Sequence, residues 1–140
     1  MATKTEEIKT GDTITPEIAD WLMEKLRWPV MATIKSDGMP SQSVVWFDLM
    51  PDQPDVVLLN TLKGRIKEQH LRRDPRLSLC FEEDWDYVTL EGRAELIDDE
   101  QRGMADIRYL AGRYGANPEK YNGQHRVTIL FHVDRVIRHS

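Results

Sequence analysis

Apolar and polar residues alternate with period two over much of this chain, and the alternation is interrupted by stretches at helical spacing. The first helical stretch follows Thr15-Pro16-Glu17, which supplies a polar cap, a first-turn proline and a first-turn acid. Ile18, Trp21, Leu22 and Leu26 then recur every three to four residues. The spacing predicts a helix over 16–27, stopped by Pro29. Val30 to Ile34 reads as a strand running into the turn Ser36-Asp37-Gly38, and 40–49 as the returning strand. In that return Val45, Phe47 and Leu49 alternate with Val44 and Trp46, so both faces are apolar. A solvated one-layer sheet does not tolerate this, and one face is expected to meet a partner or a ligand.

After the turn at 50–55, Val56 to Thr61 reads as a third strand leading into Lys63-Gly64-Arg65. Residues 64–73 lose the alternation and fit a short exposed helix closed by Asp74-Pro75. Leu77, Leu79 and Phe81, then Val88, Leu90, Ala94 and Leu96, give two more strands, with Gly92 marking a bulge in the second. Asp98-Asp99 opens a helix with Met104, Ile107, Leu110 and Ala111 on its apolar face, ending at Gly115. Residues 116–124 are turn-forming, and 126–137 alternates as the last strand. Six mostly antiparallel strands with two long helices and one short one predict a mainly β fold of the α+β kind, a small barrel. Residues 1–13 are polar and without period, a flexible N-terminal arm, and 14–140 forms the single ordered domain.

Composition narrows the function. At 140 residues, 40% hydrophobic and 31% charged, the chain has material for one core and is too apolar for a disordered coil. No run reaches the ~20 apolar residues of a membrane helix, and the first residues lack a secretory apolar stretch, so a cytoplasmic protein with no membrane partner is expected. The single cysteine, Cys80, lies in an apolar run and reads as a buried, inert thiol. His70, His125, His132 and His139 are not spaced for a metal, and each reads as a surface or tail residue. Nucleotide-loop, zinc-protease, dithiol and serine-hydrolase motifs are absent, and the acidic runs read as solvated turns and helix starts, so no catalytic residue is assigned.

Net charge is −5, yet Lys63 to Arg76 holds six bases against two acids. The segment begins where a strand ends and a helix starts. Unpaired amides there, with Arg65 and Lys67 in the first turn, suit a phosphate; the alternative is a plain solvated basic helix. Arg72 and Arg73 read as solvated or acid-paired. A nucleic-acid surface would start from the same patch, but its shortness, its lack of interleaved aromatics and the acidity of the whole chain argue against one.

The succession Ala32-Thr33-Ile34, Asp37-Gly38-Met39-Pro40, Val44-Val45-Trp46-Phe47, Asn60-Thr61 with Gly64-Arg65-Ile66-Lys67, Leu71-Arg72-Arg73-Asp74-Pro75-Arg76-Leu77-Ser78-Leu79 and Leu90-Glu91-Gly92-Arg93-Ala94 resembles the split β-barrel flavin and deazaflavin oxidoreductases. That superfamily includes the pyridoxamine 5'-phosphate oxidases and a branch using coenzyme F420. The resemblance is close over residues 29–97 and rests on element order elsewhere. It implies a six-stranded antiparallel split β-barrel with flanking helices, a homodimer with two cofactor sites at its interface, and an N-terminal arm that does not pack on its own subunit.

By the same resemblance Arg65 and Lys67 hold the cofactor phosphate, Asn60 and Thr61 lie near the cofactor, and the backbone of Ser43, Val44 and Val45 runs along the ring. His70 falls where relatives place an amide side chain. Pyridoxamine phosphate oxidases carry an arginine and a lysine on the second strand, where this chain has Ser43 and Asp48. The Leu71 to Arg76 run is more similar to the F420-using branch. The implied activity is hydride transfer from reduced F420, or alternatively FMN, to an unsaturated or conjugated small molecule, with Trp46, Trp85 and Tyr87 as candidate flat walls. An FMN-binding oxidoreductase or carrier of the same fold, and a non-enzymatic binder of a phosphorylated ligand, are the competing readings.

Overall fold

Thr15 opens the first helix. Its hydroxyl oxygen accepts the Ile18 amide at 3.3 Å, and α1 runs over Pro16–Met23 in the computed structural model, which describes residues 7–140. The helix stops at Met23 instead of 27 because Arg27 folds back on it. The Arg27 Nε donates to the Trp21 carbonyl at 3.1 Å and its guanidinium lies 3.7 Å over the Trp21 ring, taking an acceptor a further helical amide would have used.

The strands are β1 (Ile8–Gly11), β2 (Val30–Ile34), β3 (Pro40–Val44), β4 (Asp48–Leu49), β5 (Val56–Leu62), β6 (Arg76–Glu83), β7 (Asp86–Ile97) and β8 (Arg126–His139). They form one antiparallel sheet in the order β3-β2-β6-β7-β8-β5-β4, with β1 added against β8. Among the described residues eight strands replace the expected six, and the sheet is an open one ending on β3 and β4, where a six-stranded barrel was predicted.

Two local causes account for the difference. The expected strand 40–49 breaks after Val44: the Val45 amide donates to the Pro29 carbonyl, the Phe47 amide donates to the Tyr114 hydroxyl, and the chain rejoins the sheet against β5 as β4. Trp46 and Phe47 go separate ways, Phe47 fully buried against Phe81 and Trp46 stacked on Tyr114. At the other end, Ile8–Gly11 pairs with Val136–His139, where β8 has run past the end of β5. The arm therefore packs on its own chain through backbone bonds, with every β1 side chain exposed. Period analysis misses a strand that buries no side chain. Residues 1–6 of the expected arm lie outside the described residues.

The bulge at Gly92 is real: the β7–β8 register shifts between Glu91 and Gly92. Leu22, Met31, Phe47, Leu59, Leu79, Phe81, Leu90, Ile129 and Phe131 fill the concave side. α2 (Ile66–Arg73) crosses one end, and α3 (Glu100–Arg113), capped by Asp99, lies on β8 over Val56, Leu58 and Leu130. A 3₁₀ turn at Pro118–Tyr121 leads into β8. Expectations for three single residues fail here. His70 and His139 are buried instead of being surface or tail groups, and Cys80 is half-exposed on the convex side of the sheet instead of buried.

Candidate functional site

The basic segment sorts itself by what each charge touches. Lys63 pairs with Asp98, Arg72 with Glu68 at 3.1 Å and Asp98 at 3.5 Å, and Arg76 with Asp74 at 2.7 Å. The Arg76 guanidinium holds the Asp74 carboxyl at about 2, well below the usual carboxylate range. Arg73 donates to the Ile34 carbonyl. Two bases remain, Arg65 and Lys67, and among the described residues no carboxylate lies within ion-pair reach of either.

The chain places this pair by a tight turn. Gly64 takes φ +85°, the Arg65 amide donates to the Leu62 carbonyl at 3.1 Å, and the Gly64 carbonyl accepts from Gln69 Nε2 at 2.9 Å. Glu68, buried, accepts the Gly64 amide and the Arg72 guanidinium, so its charge is already engaged. Arg65 is the N-cap of α2 and its side chain makes no cap bond, which leaves first-turn amides without an intrahelical partner.

A third cation joins from β8. Arg126 sits directly across from Leu62, with its Nε donating to Asn60 Oδ1 at 3.0 Å, its Nη1 to Gln124 Oε1 at 3.1 Å, and its guanidinium 5.3 Å over the Tyr121 ring. Burial, then the charges of Arg65 and Arg126, push the Lys67 ammonium below its ordinary value. Asn60 is pinned by its own amide, whose Nδ2 donates to the Gly103 carbonyl at 2.9 Å. Thr61 beside it is buried.

From Arg126 a row of rings leads to the end of β3. Tyr121 lies edge-on to Trp46 at 6.5 Å, Trp46 stacks on Tyr114 at 5.2 Å, and Tyr114 meets Trp28 edge-on at 5.4 Å. Trp28 and Val44 are both more than half exposed, at 54% and 62%. Val44 pairs with Val30 across β2, and Ser43 and Val45 beside it are half-buried.

The structure thus brings Asn60, Thr61, Arg65 and Lys67 to one corner, joined by the ring row to the 43–45 stretch. His70 is not part of that corner surface: it is 5% exposed and its Nδ1 lies 2.9 Å from the Thr33 hydroxyl, under β2. Of the candidate flat walls only Trp46 belongs. Trp85 stands 83% exposed in the β6–β7 turn, and Tyr87 stacks on His139 at the opposite end of the β7–β8 ladder from Arg126. Arg126, Tyr121, Tyr114 and Trp28 went unread. The signal for Arg126 was its place at the head of the last strand, but only the β5–β8 pairing carries it to Arg65.

Chemically, the corner offers what an anion needs. Three cations, neutral props and free helix amides fit a phosphate, and the exposed apolar stretch beside it fits a flat ring. Among the described residues no cluster of His, Cys, Asp and Glu is grouped for a metal ion, and no helix is long and apolar enough to cross a membrane. The best-formed clefts lie elsewhere, one of about 410 Å³ over Arg76 and Arg93, and none is lined by Ser43, Val44, Val45, Asn60, Thr61, Arg65 or Lys67.

Against known proteins, the profile of the pyridoxamine 5'-phosphate oxidase family matches residues 14–140. Among solved structures, an F420 reductase superposes with TM-score 0.73 at 21% identity, over 87% of this chain and 98% of that one. A conserved hypothetical protein from Mycobacterium tuberculosis gives 0.72 at 24% identity, over 89% and 84% of the two chains. General Stress Protein 26 from Bacillus anthracis gives 0.64 at 19% identity, over 86% and 89%. These likenesses are of fold.

Proposed function

The chain belongs to the pyridoxamine 5'-phosphate oxidase family, and on that premise we propose that it is an F420-dependent oxidoreductase working as a homodimer. The observation that carries this reading is the pair Arg65 and Lys67, left without acids at the start of α2 while Lys63, Arg72 and Arg76 are neutralised and Arg73 is tied to the Ile34 carbonyl. Arg65, Lys67 and the α2 amides would hold the cofactor's phosphate through charge-assisted hydrogen bonds. The backbone of Ser43, Val44 and Val45 would lie along the ring, with Asn60 and Thr61 at its phosphate side.

When bound, the reduced deazaflavin supplies the hydride. What the chain contributes is position and dryness: the exposed apolar Val44 and Trp28, backed by Tyr114 and Trp46, shield a flat surface on which an unsaturated or conjugated acceptor can lie. No protein acid or base is required for that transfer. Ser43, Val44 and Val45 line none of the clefts described above, and a second subunit would supply the opposite wall. Pyridoxamine phosphate oxidation is disfavoured. Asp48, standing where that branch has a cation, is buried and engaged by the Tyr109 hydroxyl, with Arg113 3.8 Å away, as an anchor for α3.

The test is a parallel titration of the purified protein with F420 and FMN, followed by hydride transfer to a panel of conjugated acceptors. Tighter binding of F420, with turnover, is expected. Tighter binding of FMN would move the protein to the flavin-binding branch of the same family. Failure of both cofactors to bind would overturn the reading.

A further inference from the structure

Arg126 comes from the far end of the sequence, yet the backbone pairing of β5 with β8 sets it beside the Arg65 turn. It is the cross-strand partner of Leu62, the Lys63 amide bonds the His125 carbonyl at 2.9 Å, and the Arg65 amide closes its turn on the Leu62 carbonyl. Each of its supports is neutral. Asn60 Oδ1 takes Nε, Gln124 Oε1 takes Nη1, and the Tyr121 ring lies beneath the guanidinium plane. The orientation of Asn60 is itself set, because its Nδ2 is committed to the Gly103 carbonyl. The fork is therefore held rigid while its charge is left whole.

A structural prop would not need this. An arginine that only ties β5 to α3 gains by pairing with a carboxylate, as Arg72 and Arg76 do, and the acids Asp98 and Glu100 are engaged instead by the neighbouring His125. Lys67 and Arg126 are half-buried with the exposed Arg65 beside them, and gathering three like charges with no acid among them costs energy that a bound anion would return. We infer that Arg126 is a third anion-binding side chain of this corner, that Asn60 is its positioning residue, and that the ligand's tail carries at least two negative charges. A phosphomonoester meets that description, and so does a phosphodiester followed by carboxylates. The inference rests on the cofactor reading above and extends it to a residue and a charge state which that reading does not use. The lowered pKa values of Lys67 and Arg126, each led by burial, agree with three charges crowded together.

The experiment uses the full chain and four probes: FMN, the uncharged-tail flavin riboflavin, F420 and inorganic pyrophosphate. In Arg126→Gln, the dissociation constants for FMN, F420 and pyrophosphate are expected to rise at least tenfold, with that for riboflavin unchanged within twofold. Arg126→Lys should recover part of the loss. Asn60→Ala should weaken the charged probes and spare riboflavin. Equal binding of the charged probes by wild type and Arg126→Gln, while Lys67→Ala loses them, would overturn the role of Arg126 and leave the cofactor reading standing. If wild type binds neither FMN nor F420, the cofactor reading fails, and pyrophosphate alone decides: binding lost in Arg126→Gln upholds the anion corner, and no binding overturns it. Should Arg126→Gln fail to fold, the Arg126 Nε–H resonance of the wild-type protein takes its place. A shift on adding pyrophosphate upholds the inference, and an unmoved resonance overturns it.

Discussion

Lys67 has simple energetics, because no carboxylate among the described residues neutralises it. A charge-assisted hydrogen bond is worth about 1.5–3 kcal/mol, so Lys67→Ala should weaken F420 or FMN by that amount in calorimetric titration. An unchanged dissociation constant would place the phosphate elsewhere. The same residue makes the protein's stability depend on pH. Burial, Arg65 and Arg126 lower its pKa in the folded state below the 10.5 of a free lysine. Between the lowered value and 10.5 the unfolded chain binds the extra proton and the folded one does not, so stability rises with pH across that window. The melting temperature of the wild type should therefore climb relative to Lys67→Met as the solution is made alkaline. Saturating pyrophosphate, which favours the charged form, should flatten the difference. A gap independent of pH would mean that the lysine is freely solvated.

At the scale of elements, α3 is what connects the corner to the rest of the sheet. A Cβ placed on Gly103 would lie 1.9 Å from the Arg126 carbonyl oxygen and 2.5 Å from its carbon, so helix and strand touch backbone to backbone there. The Gly103 carbonyl also holds Asn60. Gly103→Ala must push α3 off β8, and both a lower melting temperature and weaker binding of the charged probes are expected. Gly112, on the same helix, meets nothing within 4 Å, and Gly112→Ala should stabilise by roughly 0.5–1 kcal/mol through helix propensity alone. Elements with a chemical signature were legible before any coordinates: Thr15 as a cap, Asp98-Asp99 as the opening of α3, Gly92 as a bulge, the start of α2 among its cations. Elements defined by partners were not. The break after Val44 depends on Pro29 and Tyr114, and β1 depends on the tail of β8, neither of which leaves a local pattern. His70 was misread for the same reason, since it sits on α2 and its buried partner Thr33 lies on β2.

Across the whole molecule, one row of residues runs from the 43–45 stretch over the convex face of the sheet. Registers place Val44 beside Val30, Val30 beside Cys80, Cys80 beside Thr89 and Thr89 beside Ile137, an uncharged band over five strands that starts at the proposed ring stretch. In a chain of net charge −5 with charged residues making up 31%, such a band is the natural seat for a second copy, and it would bring the partner to the ring's open side. Cys80→Arg puts a charge in the middle of the band, remote in sequence from every residue proposed to touch cofactor. It should convert a dimer to a folded monomer in sedimentation velocity, with near-native far-UV circular dichroism. Cofactor affinity should fall with it, although Arg65, Lys67 and Arg126 are untouched. Lys67→Ala should do the reverse, losing affinity while sedimenting as a dimer. A wild type that sediments as a monomer and binds F420 tightly, or a Cys80→Arg monomer with wild-type affinity, would show that one subunit builds the site alone. The open stretch around Trp28 and Val44 would then face solvent and incoming acceptor directly.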